Sequence, residues 1–337
     1  MRLITIDEYH PKLMQLARPV LDRQRRVLLA AGRTIHPTYL KRLEAVGVRY
    51  LFVEDAISKG ISMDEIVDAS SWIEAIETVQ EAFQDAAQNG NIPVITLERL
   101  VANLVNEVTK RKAIILFPTT SLHEELQGYA HAVNVALLSL QLAKKKFIPP
   151  SQLKEVAMGA LLHDIGKVIK GAEDHPVSGF EFLRKIREIS LISAHIAYQH
   201  HEKTDGTGFP RGMSADQIHE FAQICSIANM YDNLLSHDAM PPHIAMEYIM
   251  TQAGTSFSNE LVQLFVQEVP SYIPGTRVLL NNGREAIVTK ILGSMQRPYI
   301  RYLESGEELS LANNHTLLIT EVLYKDRDKM PAEGDGE

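Results

Sequence analysis

Two pairs of adjacent side chains carry most of the chemistry available to this sequence: His163-Asp164, closing the run Ala160-Leu161-Leu162, and His200-His201. An imidazole and a carboxylate side by side can both reach one metal ion. Alternatively the carboxylate can bridge two ions while further ligands arrive from neighbouring helices. His131, His175 and the polar pair Asn229 and Asp232 are the other candidates. Taken singly, each is an ordinary cap, core or surface group. As an ordered set on core-facing helices they read as a metal centre.

The elements that must position these groups follow from apolar spacing. Leu153, Val156, Ala157, Ala160 and Leu161 recur at helical intervals, so His163 and Asp164 leave the C-terminal end of a helix, and Gly166 fits the turn that stops it. His131 shares a helix with core-facing Val133, Leu137 and Leu140, and Gln127 lies one turn earlier on the same side. His175, followed by Pro176, begins the next helix. The run Ile186, Ile189, Ile192 and Ile196 carries another helix to His200-His201. Asn229 and Asp232 are three residues apart on a helix anchored by Phe221, Ile224, Ala228 and Leu235.

The chain has 337 residues, 45% of them hydrophobic, and a net charge of -8, the profile of a globular protein of two or three domains. The charge argues against a dedicated binder of nucleic-acid polymers. The single cysteine, Cys225, rules out an intrachain disulfide and sits in an apolar stretch that marks it as core. No apolar run approaches a membrane span and the first residues lack a signal-peptide core, so a cytoplasmic location is expected.

Residues 1–60 read as a small α+β unit. Arg2 to Ile6 is a strand, Pro19–Leu21 and Val27–Ala30 form a hairpin, Pro37 opens a short helix, and Arg49 to Val53 is a second apolar strand. Arg23, Arg25 and Arg26 read as a solvated turn, with an anion site as the alternative. Residues 61–115 carry two amphipathic helices, one through Ile66, Ile73, Ile76, Val79 and Phe83, the next through Leu97, Leu100, Leu104 and Val108. Their apolar faces suit internal packing or, alternatively, a homodimer contact. Residues 272–325 change to short strands with an Asn281-Asn282-Gly283 turn, a small barrel-like β domain, and 326–337 is a polar, disordered tail.

His163-Asp164-Ile165-Gly166-Lys167 and the segment from His200-His201-Glu202 to Gly206-Thr207-Gly208-Phe209-Pro210 together resemble the HD-GYP family. This is a branch of the HD-domain metal-dependent phosphohydrolases that hydrolyses the bacterial second messenger cyclic di-GMP. The likeness covers residues 116–271. The start of the chain, with Leu16-Ala17-Arg18-Pro19-Val20, is similar to the short domain that precedes this module in Bacillus-type proteins. The resemblance implies a mainly α HD-type helical bundle flanked by the two smaller units. It implies two divalent ions, iron or manganese, with Asp164 bridging, His131, His163 and residue 229 on one, and His175, His200 and His201 on the other. Such a pair of ions neutralises a phosphodiester and activates water. Lys167 and Asp232 match positions that contact substrate or leaving group, as phosphate stabiliser and proton handler, and Gly206, Gly208, Phe209 and Pro210 form a loop for close approach of the nucleotide.

Several positions depart from the family pattern. Asn229 replaces a metal-binding aspartate, so one ion is expected to be held less tightly. Gln127 replaces a glutamate associated with a third ion, Phe209 replaces a tyrosine, and Asp238-Ala239-Met240-Pro241 replaces an arginine-rich segment. Only seven residues separate Lys167 from His175, against a longer insert in most members. The expected function is hydrolysis of cyclic di-GMP, or a related nucleotide, to linear dinucleotide or GMP at reduced rate. The alternatives are a degenerate module that binds nucleotide or a protein without turnover, and another phosphohydrolase activity.

Overall fold

Short paired strands come first. The structure, a computed structural model, describes residues 1–63, 67–110, 115–169 and 175–323. The N-terminal unit runs β1 (Arg2–Thr5), β2 (Gln15–Leu16), β3 (Val20–Leu21), β4 (Val27–Leu29), α1 (Pro37–Ala45) and β5 (Tyr50–Glu54). Strand β5 is central, antiparallel to β1, where Leu3 faces Phe52, and to β2, where Leu16 faces Val53. Alternate residues point inward, so Ile4, Leu16, Leu51 and Val53 close a small core with Ile35 and Leu43. The β3–β4 hairpin follows the expected segments. Two of its arginines are engaged by the protein: Arg26 bonds Asp22 within the turn, and Arg25 reaches Glu77 and Gln80.

The helical body comprises α2 (Ala69–Asn89), α3 (Val94–Lys110), α4 (Glu124–Lys145), α5 (Pro150–Leu161), α6 (Gly166–Ile169), α7 (His175–Leu183), α8 (Leu191–Gln199), α9 (Glu220–Ser236), α10 (Pro242–Thr251) and α11 (Asn259–Glu268). Helix α4 is buried on all sides from Ala130 to Ala143, as a helix apolar around its circumference must be. It packs against α2, α3, α5, α9 and α11. One continuous core runs from Trp72 in α2 to Val269 after α11. Helices α2 and α3 therefore share the core of the bundle, and the division expected at residue 115 corresponds to no break in packing. Expectations for Ile66, for part of the Lys167–His175 connection and for the tail 326–337 lie outside the described residues.

Two helix boundaries differ from the periodic reading, each for a local reason. Gly166 does not cap α5, which ends at Leu161; it opens α6. Its lack of a side chain serves a close approach instead, since a Cβ there would lie 1.9 Å from the His175 carbonyl oxygen and 2.7 Å from the Gly179 nitrogen. The isoleucine run from Ile186 is not one helix. Ser190 accepts hydrogen bonds from the Ile192 and Ser193 amides and so starts α8 afresh at Leu191.

The C-terminal strands are β6 (Arg277–Leu280), β7 (Glu285–Lys290), β8 (Tyr299–Tyr302), β9 (Glu308–Ser310) and β10 (Ile319–Val322). They pair in the single row β10-β6-β7-β8-β9, an open antiparallel sheet in place of the expected barrel. Strand β9, three residues long, gave too short an apolar signal to be read. Gln296 donates to the Val266 and Val269 carbonyls at the end of the bundle, and Arg301 donates to Ile57 and Lys59 carbonyls of the N-terminal part. Among the described residues no helix is long and apolar enough to cross a membrane.

The contact at Gly166 sets a stability prediction. Gly166→Ala should lower unfolding free energy by about 1–3 kcal/mol through overpacking, with loss of metal affinity because His175 must shift. Gly128→Ala, at a helical position with no atom within 4 Å of the added carbon, should be neutral or stabilising by up to about 1 kcal/mol. Urea titration of both variants checks this; equal stability would refute the close-packing argument.

Candidate metal centre

Helix ends deliver the ligands. Residues 162–165 form the turn after α5, placing His163 beside His131 of α4, with ring centroids 5.3 Å apart. His175 is the first residue of α7, His200 is the C-cap of α8 and His201 follows it. His131 projects from the buried middle of α4, and Asn229 from α9. The expected origin of each ligand on its element is thus observed, with His163-Asp164 one turn beyond the helix proper.

These side chains converge as two groups that share Asp164. Asp164, His175, His200 and His201 form one, and His131, His163 and Asp164 the other, with ligand atoms in each within 4.8 Å of one another. In the first group His175 Nε2 lies 3.3 Å from His200 Nε2, 3.1 Å from His201 Nε2 and 3.3 Å from Asp164 Oδ1. Nitrogens bound to one ion at ordinary bond lengths stand about 3.0–3.4 Å apart, so the spacing suits a shared cation. Two tautomers are fixed from behind. His163 Nδ1–H donates to the Ala160 carbonyl at 2.7 Å and His200 Nδ1–H to the Ala197 carbonyl at 2.9 Å, which turns both Nε2 lone pairs inward. His163 Nε2 and Asp164 Oδ1 are buried with no hydrogen-bond partner. Buried acceptors without a partner are costly unless a cation serves them, and the donor set fits a divalent ion.

Electrostatics divide the two groups. Burial alone would raise the Asp164 carboxyl, but the imidazoles of His163 and His175 and the Lys167 ammonium hold it well below the usual carboxylate range. Burial pushes His200 well down, and burial with neighbouring imidazoles takes His201 to about 3, so both are neutral ligands at physiological pH. His131 differs. Burial opposes its charge, yet the Asp232 carboxylate 2.7 Å from Nδ1 prevails and raises its pKa.

Other expected site residues lie as follows. Lys167 Nζ is 2.5 Å from Asp164 Oδ2 with its side chain half exposed, at the open side of the cluster. Asn229 Oδ1 lies 3.0 Å from His131 Nε2 and accepts from Asn233 Nδ2 at 2.9 Å. Both Asp232 oxygens are engaged, one by His131 and one by Asn134 Nδ2, and the buried side chain backs the His131 ring. The Gln127 amide donates to the Gly47 and Leu122 carbonyls.

The loop after His201 is held by Glu202, whose buried carboxylate accepts from the Arg211 and Met213 amides, both at 2.8 Å. A side chain at Gly208 would strike the backbone of Glu202 and Lys203, whereas Gly206 adopts a positive φ of 79° that suits glycine. Phe209, ahead of Pro210, stacks on His201 with centroids 4.4 Å apart and 16° between planes, while its ring stays 47% exposed. Cys225 is fully buried, and burial raises its thiol pKa, as befits a core residue. The sequence reading missed Trp72 and Asn134, which bond to each other and, through Asn134, to Asp232. No local motif marks them.

A helical bundle that gathers five imidazoles around one shared carboxylate defines a metal-binding domain of a particular class. Residues 128–234 match the family model described as HD domain. Residues 128–234 thus carry an HD domain, and its HD turn and the 200–210 loop are similar to those of the HD-GYP branch. It is 26% identical over 249 residues to a Pseudomonas aeruginosa protein named cyclic di-GMP phosphodiesterase PA4108, covering 68% of this chain and 60% of the relative. It is 28% identical over 200 residues to a Vibrio cholerae 3'3'-cGAMP-specific phosphodiesterase 2, covering 53% and 36%. A solved HDG"Y"P protein from Bdellovibrio bacteriovorus aligns at a TM-score of 0.49 and 17% identity, over 78% of this chain and 97% of the other. The chain therefore spans less than two thirds of the length of either curated relative.

The raised His131 pKa gives the pH prediction its sign. A metal bound at His131 must displace a proton below that pKa, whereas His200 and His201 are already neutral. Manganese affinity of the His131–His163 group should fall up to about tenfold per pH unit as pH drops through that pKa, while the other group holds its ion to lower pH. Metal counting after dialysis at stepped pH should show one ion leaving before the other. Parallel loss would sink this assignment.

Proposed function

We propose that this chain is a metal-dependent phosphodiesterase acting on cyclic di-GMP or a closely related cyclic dinucleotide. The observation that carries the reading is the pair of ligand groups sharing Asp164. Bound there, two divalent ions, iron or manganese given neutral imidazoles with carboxylate, supply charge neutralisation for a phosphodiester and an activated water. The names of the relatives favour a cyclic dinucleotide as substrate.

The protein's own residues supply the rest. Lys167, half exposed beside Asp164, is placed to pair with a phosphate oxygen. Phe209 offers an exposed ring edge next to His201 against which a nucleobase can lie, and the tight Gly206–Gly208 backbone lets a sugar-phosphate approach closely. Asp232 holds His131 in its ligand orientation. The short Asp238–Pro241 segment contributes no cation, so substrate is held with fewer charges than an arginine-rich segment would provide.

Asn229 is the test position. Asparagine and aspartate share shape, and Asn233 Nδ2, which now donates to the Asn229 oxygen, can donate equally to a carboxylate. Asn229→Asp should therefore add negative charge without repacking and raise kcat for cyclic di-GMP about tenfold, while KM stays high. The measurement is steady-state turnover in excess manganese, with metal content determined in parallel. A variant that gains metal yet shows no hydrolysis at saturating substrate would overturn the hydrolase reading in favour of a binding module.

A further inference from the structure

Trp72 is distant from the metal centre in sequence, lying on α2 outside the 128–234 domain match, yet it ends a chain of hydrogen bonds that begins there. Its indole Nε1–H donates to Asn134 Oδ1 at 3.0 Å across 62 residues. Asn134 Nδ2 donates to Asp232 Oδ1 at 2.9 Å and to the Phe117 carbonyl at 2.9 Å. Asp232 Oδ2 accepts from His131 Nδ1 at 2.7 Å. All four side chains are buried, at 3%, 1%, 2% and 7% exposure from Trp72 to His131, so water does not substitute for any link.

The chemistry of the groups makes this chain directional. An indole can only donate, so Asn134 must turn its oxygen to Trp72 and its amide nitrogen to Asp232. A carboxylate can only accept, so His131 must carry a proton on Nδ1 and present its Nε2 lone pair to a metal. The ring stack of Trp72 on Phe117, with centroids 4.8 Å apart and planes at 25°, fixes the indole in turn. We infer that Trp72 and Asn134 are positioning residues for the metal ligand His131, setting its tautomer and ring plane from a helix outside the matched domain. This rests on the two-group metal reading above. It goes further by making the His131–His163 group alone dependent on α2.

Site selectivity separates this role from plain core packing, because packing damage would not single out one ligand group. The full-length chain, stripped with chelator, is titrated with Mn²⁺ by calorimetry, and bound metal is counted after desalting. The wild-type protein should take two ions and His131→Ala one. Trp72→Phe, which keeps the stack but removes the donor, and Asn134→Ala should each weaken the His131–His163 ion by about tenfold or more while the other ion changes by less than about twofold. Should Asn134→Ala not fold, Trp72→Phe decides alone. If Trp72→Phe binds both ions as the wild type does, or weakens both equally, the positioning role is wrong although the metal reading stands. If His131→Ala still binds as many ions as the wild type, the metal reading fails and the positioning role with it.

Discussion

The structure depends on burying one carboxylate, Asp164, against the ring nitrogens of His163, His175 and His200. A buried carboxylate without counter-charge is strongly disfavoured, and so are nitrogen lone pairs that meet one another. Together they make a combination that only a cation resolves, and the rest of the domain is arranged so that they cannot turn away. His163 and His200 are pinned by carbonyls of their own helices, His131 by Asp232, and His201 by the Phe209 ring. Each restraint removes a rotation by which the site could relax, which is how a fold stores affinity before any ligand arrives.

The supporting architecture follows from that requirement. Helix ends bring backbone polar groups and permissive geometry, and five of the six grouped side chains, all but His131, come from a helix end or the turn beyond it. To place α6 and α7 close enough for Asp164 and His175 to meet, Gly166 packs against the His175 carbonyl with no side chain between. Helix α4, apolar on all sides, forms the floor on which the others pack and lifts His131 from below. The N-terminal unit touches this helix as well, where Gln127 donates to the Gly47 carbonyl at 3.0 Å, and the Arg18 guanidinium lies 4.5 Å from the ring centroids of Phe52 and Phe117, the latter stacked on Trp72.

Much of this was legible in the sequence because it is local. The two ligand pairs, the helices ahead of them apart from their exact bounds, and the strands of both flanking units except β2 and β9 follow from spacing and turn residues. What escaped is non-local or cooperative. The hydrogen bonds of Asp232 involve Asn134 and His131, brought to it across the bundle, so spacing on α9 could not show them. The isoleucine run continued the helical period through Ser190, but a side-chain cap outweighs periodicity where it satisfies two amides. Strand β9 exists only because β8 offers it a partner, and Arg25 finds Glu77 only when α2 packs beside the hairpin.

Trp72 is the one tryptophan in the chain. Near-ultraviolet excitation of the protein at the red edge of aromatic absorption therefore addresses a single indole, and that indole is stacked, dry and bonded to the group that backs the metal ligands. The same residue that ties α2 to the centre gives the protein an internal optical probe, reporting on the state of the buried network without any label.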